Sequence, residues 1–248
     1  MCGIVGYIGK EKCIPNIING LESLEYRGYD SSGIAYVMQN KVFIEKEEGK
    51  IENLKKTLDE KIESYLGIGH TRWATHGKPC KSNSHPHQNG KITLVHNGII
   101  ENYNSLKKEL SDYIFTSETD SEVVAALIDK LYQQKRDMLK VLNELKNYVI
   151  GSYALGILVE GSNQLYAIRK DSPLIIGVSE YGNFIASDVP AILKYTTQYY
   201  LLENNEYACL EKDKVTIYND GKVIKKALHT FEGSLDSAMK NGYDHYLF

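Results

Sequence analysis

The chain has 248 residues, 42% hydrophobic and 25% charged, which is enough to bury one large core and unlike the low-apolar composition of disordered chains. Its 29 basic and 32 acidic residues are interspersed and leave a net charge of -3, so no basic stripe offers itself to nucleic acid. No apolar run approaches the ~18 to 20 residues that cross a bilayer, no leader pattern opens the chain, and four irregularly spaced cysteines fit neither a disulfide scaffold nor a zinc ribbon; a soluble, cytoplasmic protein with no membrane partner is expected.

In chain order, residues 3–8 form a short apolar run that predicts a buried strand. A helix should follow, with Pro15 in its first turn, Ile14, Ile17, Ile18, Leu21 and Leu24 at three-to-four spacing, and Gly28 closing it. Residues 33–38 and 42–47 read as strands, and the short Gln39-Asn40 step between them predicts an antiparallel hairpin. A second strand block takes in 66–71 and 92–95, around a loop rich in His, Pro, Asn and Ser. Thr119 and Glu122 make a capping-box pattern that opens a helix through Leu131, and residues 138–145 predict another. Beyond Gly151 the chain reads as strands at 153–159, 165–168, 174–178, 184–187, 215–218 and 223–227, separated by hairpin-type turns. Hairpins in series with helices between the blocks predict layered antiparallel sheets covered by helices, an α+β arrangement. Residues 229–248 have weak periodicity and read as a linker or docking tail after a domain spanning 1–228.

Cys2 is small enough for the initiator methionine to be trimmed ahead of it. It would then carry a thiol and an α-amine on one residue, a nucleophile with its own base of reference pKa about 7.7 to 8.0. A cysteine at position 2 means little by itself. Asn97 and Gly98, at the end of a predicted strand, could supply a side-chain and a backbone N–H to a developing oxyanion, although Asn-Gly alone is chiefly a turn signal. Arg72 could pair bidentately with a carboxylate, or simply pack on the single tryptophan, Trp73. Asp120 could accept an ammonium, or be the acid that any helix N-terminus favours. His70, His76, His85, His87 and His96 crowd one stretch and raise a metal hypothesis, but neither His-Glu-x-x-His nor paired Cys-x-x-Cys is present, so no metal is expected.

One ordered series joins these residues: CGIVG (2–6), LEYRGYDSSGIA (24–35), HTRWATHG (70–77), HPH (85–87), HNGIIENY (96–103), SETDSE (117–122), GSYALG (151–156), SPLIIG (172–177) and FIASD (184–188). It resembles the glutaminase domain of the glutamine-fructose-6-phosphate aminotransferases, a class II glutamine amidotransferase domain. The resemblance implies the N-terminal nucleophile hydrolase fold, a four-layer αββα sandwich of antiparallel sheets. It implies Cys2 as nucleophile, its α-amine as base, and Asn97 and Gly98 as the oxyanion hole. Arg72 would hold the α-carboxylate of L-glutamine and Asp120 its α-ammonium. Trp73, Thr75, His76 and Gly77 would belong to a loop closing over the amino acid, with Arg27 and Gly28 supporting the nucleophile. No cofactor is implied. The full-length family members continue into a sugar-isomerase half that receives the ammonia, and a homo-oligomer is expected of them. Other N-terminal-cysteine readings are the purine-pathway amidophosphoribosyltransferases, the asparagine synthetases, an amidase for acylated small molecules, and a glutamine-binding module without turnover. The YRGYD and RWATH strings match the aminosugar version, and the charges of Arg72 and Asp120 argue against an apolar acyl pocket.

Overall fold

A computed structural model describes residues 2–59, 61–73 and 78–233, with Arg27 described in its backbone alone. The first sheet contains β1 (Gly3–Gly9), β2 (Ser31–Met38), β3 (Lys41–Glu48), β4 (Leu66–Arg72), β9 (Ile175–Val178), β10 (Gly182–Ala186), β11 (Gln198–Leu201) and β15 (His229–Thr230), in the spatial order β15-β11-β9-β10-β1-β4-β2-β3. The second contains β5 (His87–Asn89), β6 (Ile92–Ile100), β7 (Gly151–Val159), β8 (Leu165–Lys170), β12 (Tyr207–Glu211), β13 (Lys214–Asn219) and β14 (Lys222–Ile224), in the order β14-β13-β12-β8-β7-β6-β5. Every pairing between these strands is antiparallel.

The two-residue alternation of strands turns this topology into layers. β1 sends Ile4 and Ile8 into the space between the sheets, where they meet Ile68, Leu158 and Ile185. Its Val5 and Tyr7 point the other way, onto α1 (Cys13–Glu22), whose Ile14, Ile17, Ile18 and Leu21 form one buried face. α2 (Ile51–Thr57) adds Ile51 and Leu54 to that outer layer. On the far side Tyr153, Leu155 and Ile157 of β7 face α3 (Tyr103–Glu109), α4 (Asp120–Lys135) and α5 (Met138–Leu145). Each fully buried aliphatic side chain contributes about 1.5–3 kcal/mol. Helices, sheet, sheet and helices thus make the expected four-layer αββα sandwich.

Several local expectations change. α1 ends at Glu22 with Ser23 as its C-cap, and Gly28 instead closes a separate 3-10 turn, Glu25–Arg27, at φ 72°. The strand block at 66–71 and 92–95 divides: β4 lies between β1 and β2, whereas β6 lies between β5 and β7 in the other sheet. Thr119 does cap α4 by accepting from the Glu122 amide, but the Glu122 carboxylate accepts from Thr116 and Ser117 rather than returning to the cap. His229 and Thr230, the first residues of the segment read as a tail, pair with β11; residues 234–248 lie outside the described residues. Among the described residues no helix is long and apolar enough to cross a membrane.

Candidate active site

Cys2 immediately precedes β1, and the Gly3–Thr71 register sets it beside the end of β4. The Trp73 amide donates to Cys2 Sγ at 3.2 Å, a contact that favours the thiolate. Burial pushes the Cys2 thiol up from its usual range, while the Trp73 amide and the Arg72 guanidinium act in the opposite direction. Asn97 reaches the same point from the other sheet, its Nδ2 donating to the Cys2 carbonyl at 3.2 Å. Gly98 follows at φ 133°, a conformation that L side chains avoid, and a Cβ there would lie 2.1 Å from the Ser152 carbonyl oxygen. Glycine is thus required at the step where β6 turns its backbone past the cleft.

A cavity of about 470 Å³ joins these groups, lined among others by Cys2, Arg72, Trp73, Asn97, Gly98 and Asp120. That volume is in the range of small-molecule sites. Arg72 and Asp120 are both buried. Arg72 Nη1 lies 3.4 Å from the Lys78 carbonyl and 3.8 Å from Asp30 Oδ1, so the guanidinium is held from two sides. Asp120 opens α4 and accepts the Ile100 amide at 2.8 Å, which pins its carboxylate to the end of β6. The helix-cap and the pocket-lining readings of Asp120 therefore hold together. Trp73 is half exposed and packs over Gly28, where an added Cβ would meet the ring at 2.7 Å. The expected contributions of Thr75, His76, Gly77 and the Arg27 side chain lie outside the described residues.

Among the described residues no group of three His, Cys, Asp or Glu side chains could hold a metal ion, and His76 lies outside them. His70, His85, His87 and His96 are buried next to the cleft. His87 bonds Thr119 Oγ1 at 3.0 Å, and His96 Nδ1 bonds Ser121 Oγ at 2.8 Å. Burial holds His70 down at about 3 and keeps His85 and His87 well below the usual range, so all three are neutral. Sequence reasoning also missed Ser152, Ser172 and Pro173 as lining residues. They come from distant segments, and only the pairing of β7 with β6 brings Ser152 to the cleft.

A glutamine amidotransferase domain model matches residues 70–194. The chain is 47% identical, along its full length, to the glutamine–fructose-6-phosphate aminotransferase (isomerizing) of Clostridium perfringens, and 45% identical to that of Aquifex aeolicus. It spans 41% and 43% of those two relatives. Among solved structures, the glutamine phosphoribosylpyrophosphate amidotransferase of B. subtilis superposes with a TM-score of 0.76 at 25% identity, covering 88% of this chain and 49% of that one. Two facing antiparallel sheets, a cysteine beside an Asn-Gly pair and these matches lead to one assignment: the chain belongs to the class II glutamine amidotransferase domain family, with the N-terminal nucleophile hydrolase fold.

Proposed function

We propose that this chain hydrolyses the side-chain amide of L-glutamine to glutamate and ammonia through a γ-glutamyl thioester on Cys2. The observation that carries the reading is that Cys2 from one sheet and Asn97-Gly98 from the other line a single cleft flanked by a buried cation and a buried anion, Arg72 and Asp120. Once Met1 is removed, the α-amine takes the thiol proton and Sγ adds to the amide carbon. The oxyanion accepts from Asn97 Nδ2 and the Gly98 amide. Collapse breaks the C–N bond, and the amine returns its proton to the departing nitrogen, which leaves as ammonia. Water then adds to the thioester, giving up its proton to the amine, and the C–S bond breaks to release glutamate and restore the thiol.

Arg72 binds the α-carboxylate and Asp120 the α-ammonium, so the cleft selects a free amino acid. With them the resemblance assigns Trp73, Thr75, His76 and Gly77 to binding the amino acid, and Arg27 with Gly28 to supporting the nucleophile. The glutaminase domain takes in residues 1–228 together with β15, which pairs with β11 at the edge of its first sheet. As part of a longer protein, the chain would pass this ammonia to a sugar-isomerase half that aminates fructose-6-phosphate, within a cytoplasmic homo-oligomer. The test is intact mass before and after a glutamine-like diazoketone, with glutamate release measured on the same sample. Loss of Met1, one adduct on Cys2 and steady glutamate production support the reading. Absence of turnover and of labelling in a Met1-free chain defeats it.

A further inference from the structure

His70 belongs to no step above, yet it is fully buried and lies where the two sheets exchange side-chain hydrogen bonds beneath Cys2. It stands on β4 opposite Ile4 of β1, so it shares a sheet with Cys2, and it reaches across to β6. Its Nε2 lies 2.9 Å from Asn97 Oδ1 and 3.1 Å from the His96 carbonyl oxygen. Both partners are acceptors, so Nε2 carries the proton. Nδ1 is then bare. His85 packs against the His70 ring at 64°, its Nδ1 3.1 Å from both ring nitrogens. The donation that the two acceptors fix runs from His70 Nε2–H to Asn97 Oδ1 and the His96 carbonyl oxygen.

We propose that His70 is a positioning residue for the oxyanion site, locking the Asn97 amide with its NH2 toward the cleft. This rests on the reading of Asn97 as an oxyanion donor. One Asn97 N–H is held by the Cys2 carbonyl and Oδ1 by His70, which leaves the second N–H for the cleft that Asn97 lines. A flipped amide would turn its NH2 against the His70 N–H and its oxygen against the Cys2 carbonyl, two repulsive contacts. Without the His70 donor, only one of those contacts still opposes the flip, and a flipped amide presents an oxygen where negative charge develops.

The test uses the full-length protein with His70→Leu, which keeps volume and removes the donor, and His70→Gln, whose amide nitrogen can stand where Nε2 does. Glutaminase kcat and KM are measured with thermal melting, together with the rate of Cys2 alkylation by iodoacetamide, a displacement at a CH2 group that forms no oxyanion. His70→Leu is expected to lower kcat by about 10- to 100-fold, a fraction of what losing a donor outright costs. KM and the alkylation rate should stay within about threefold, and His70→Gln should recover most of kcat. Removing His70 in an Asn97→Ala background should cost nothing further in kcat, because the two act as a unit. If His70→Leu does not fold, His70→Met replaces it, removing the same donor, with the same kcat loss and unchanged KM expected. The proposal is overturned if kcat is unchanged in the variant that folds, if KM and alkylation fall in step with kcat, if His70→Gln is no better than His70→Leu, or if the double variant is additive. Failure of the wild type to hydrolyse glutamine overturns the functional reading instead, so the two failures are distinct.

Discussion

Lowering the pH from 7 to 5 should destabilise this fold steeply, and the histidines beside the cleft set the size of the effect. His70, His85 and His87 are buried and neutral, with His70 held at about 3. An unfolded histidine titrates near 6.5. Because the folded values lie below the unfolded one, the unfolded chain takes up protons first, so the stabilisation is present above pH 6.5 and is lost as pH falls through and below it. At pH 5 each group that stays neutral in the fold costs about 2 kcal/mol relative to pH 7, and three cost about 6 kcal/mol, against total stabilities of about 5–15 kcal/mol. Urea denaturation followed by circular dichroism at pH 7, 6 and 5 measures this directly. His87→Gln, whose amide can still bond Thr119 Oγ1 but does not titrate, should lose about 2 kcal/mol less over that range than the wild type. A wild type that loses less than about 1 kcal/mol, or a His87→Gln chain that loses as much as the wild type, would refute the claim that burial keeps these rings neutral.

Asn97→Ala is expected to lower glutaminase kcat by about 10²- to 10³-fold with little change in KM, since it removes one oxyanion donor; steady-state kinetics showing a KM effect alone would reverse the assignment. Asp120→Asn should do the opposite, raising KM for glutamine about 10- to 100-fold while kcat stays within a few-fold, because the amide oxygen can still accept from Ile100 but the charge facing an ammonium is gone. Gly98→Ala should cost at least about 2–3 kcal/mol in urea denaturation and abolish activity, because its Cβ would stand 2.1 Å from a backbone oxygen that cannot move without parting β6 from β7.

What the sequence discloses follows from how local each signal is. The β2–β3 hairpin, the Thr119 N-cap of α4 and the apolar period of α1 are written in neighbouring residues, and all three form. α2 and α3 bury only two residues and one, so no apolar stripe announces them. β12 lies inside the second sheet between β8 and β13, yet Tyr207 to Leu210 is a four-residue apolar run without alternation, too short to declare a strand by period alone. β4 and β6 are close in sequence and read as one block; their assignment to different sheets depends on β1 pairing with both β4 and the distant β10. At the site, Cys2, Arg72, Asn97, Gly98 and Asp120 are recognisable through motif strings, and the structure brings all five to one cleft. The contact of His70 with Asn97 is invisible in the sequence because it depends on the register of one sheet against the other.

That cross-sheet register is also the physical reason the site belongs to the fold and not to a loop. The proposed nucleophile is carried on the sheet of β1 and β4, and the proposed oxyanion donors on the sheet of β6, so their separation is set by the layer of Ile4, Ile68, Val95, Ala154 and Ile185 packed between them. Such a layer is close-packed and resists small displacements. Hydrogen bonds from Asn97 to Cys2 and from His70 to Asn97 and the His96 carbonyl then fix orientation at one end of it. Preorganised donors of this kind act without reorganising as charge develops, which is where most of an acyl-transfer rate enhancement arises. The described groups assigned to the amide step come from the start of β1, the ends of β4 and β6, and the first turn of α4. The amide chemistry is thereby separable in principle from whatever consumes the ammonia, since closing the sandwich is itself what brings thiol, oxyanion donors and charge clamp together.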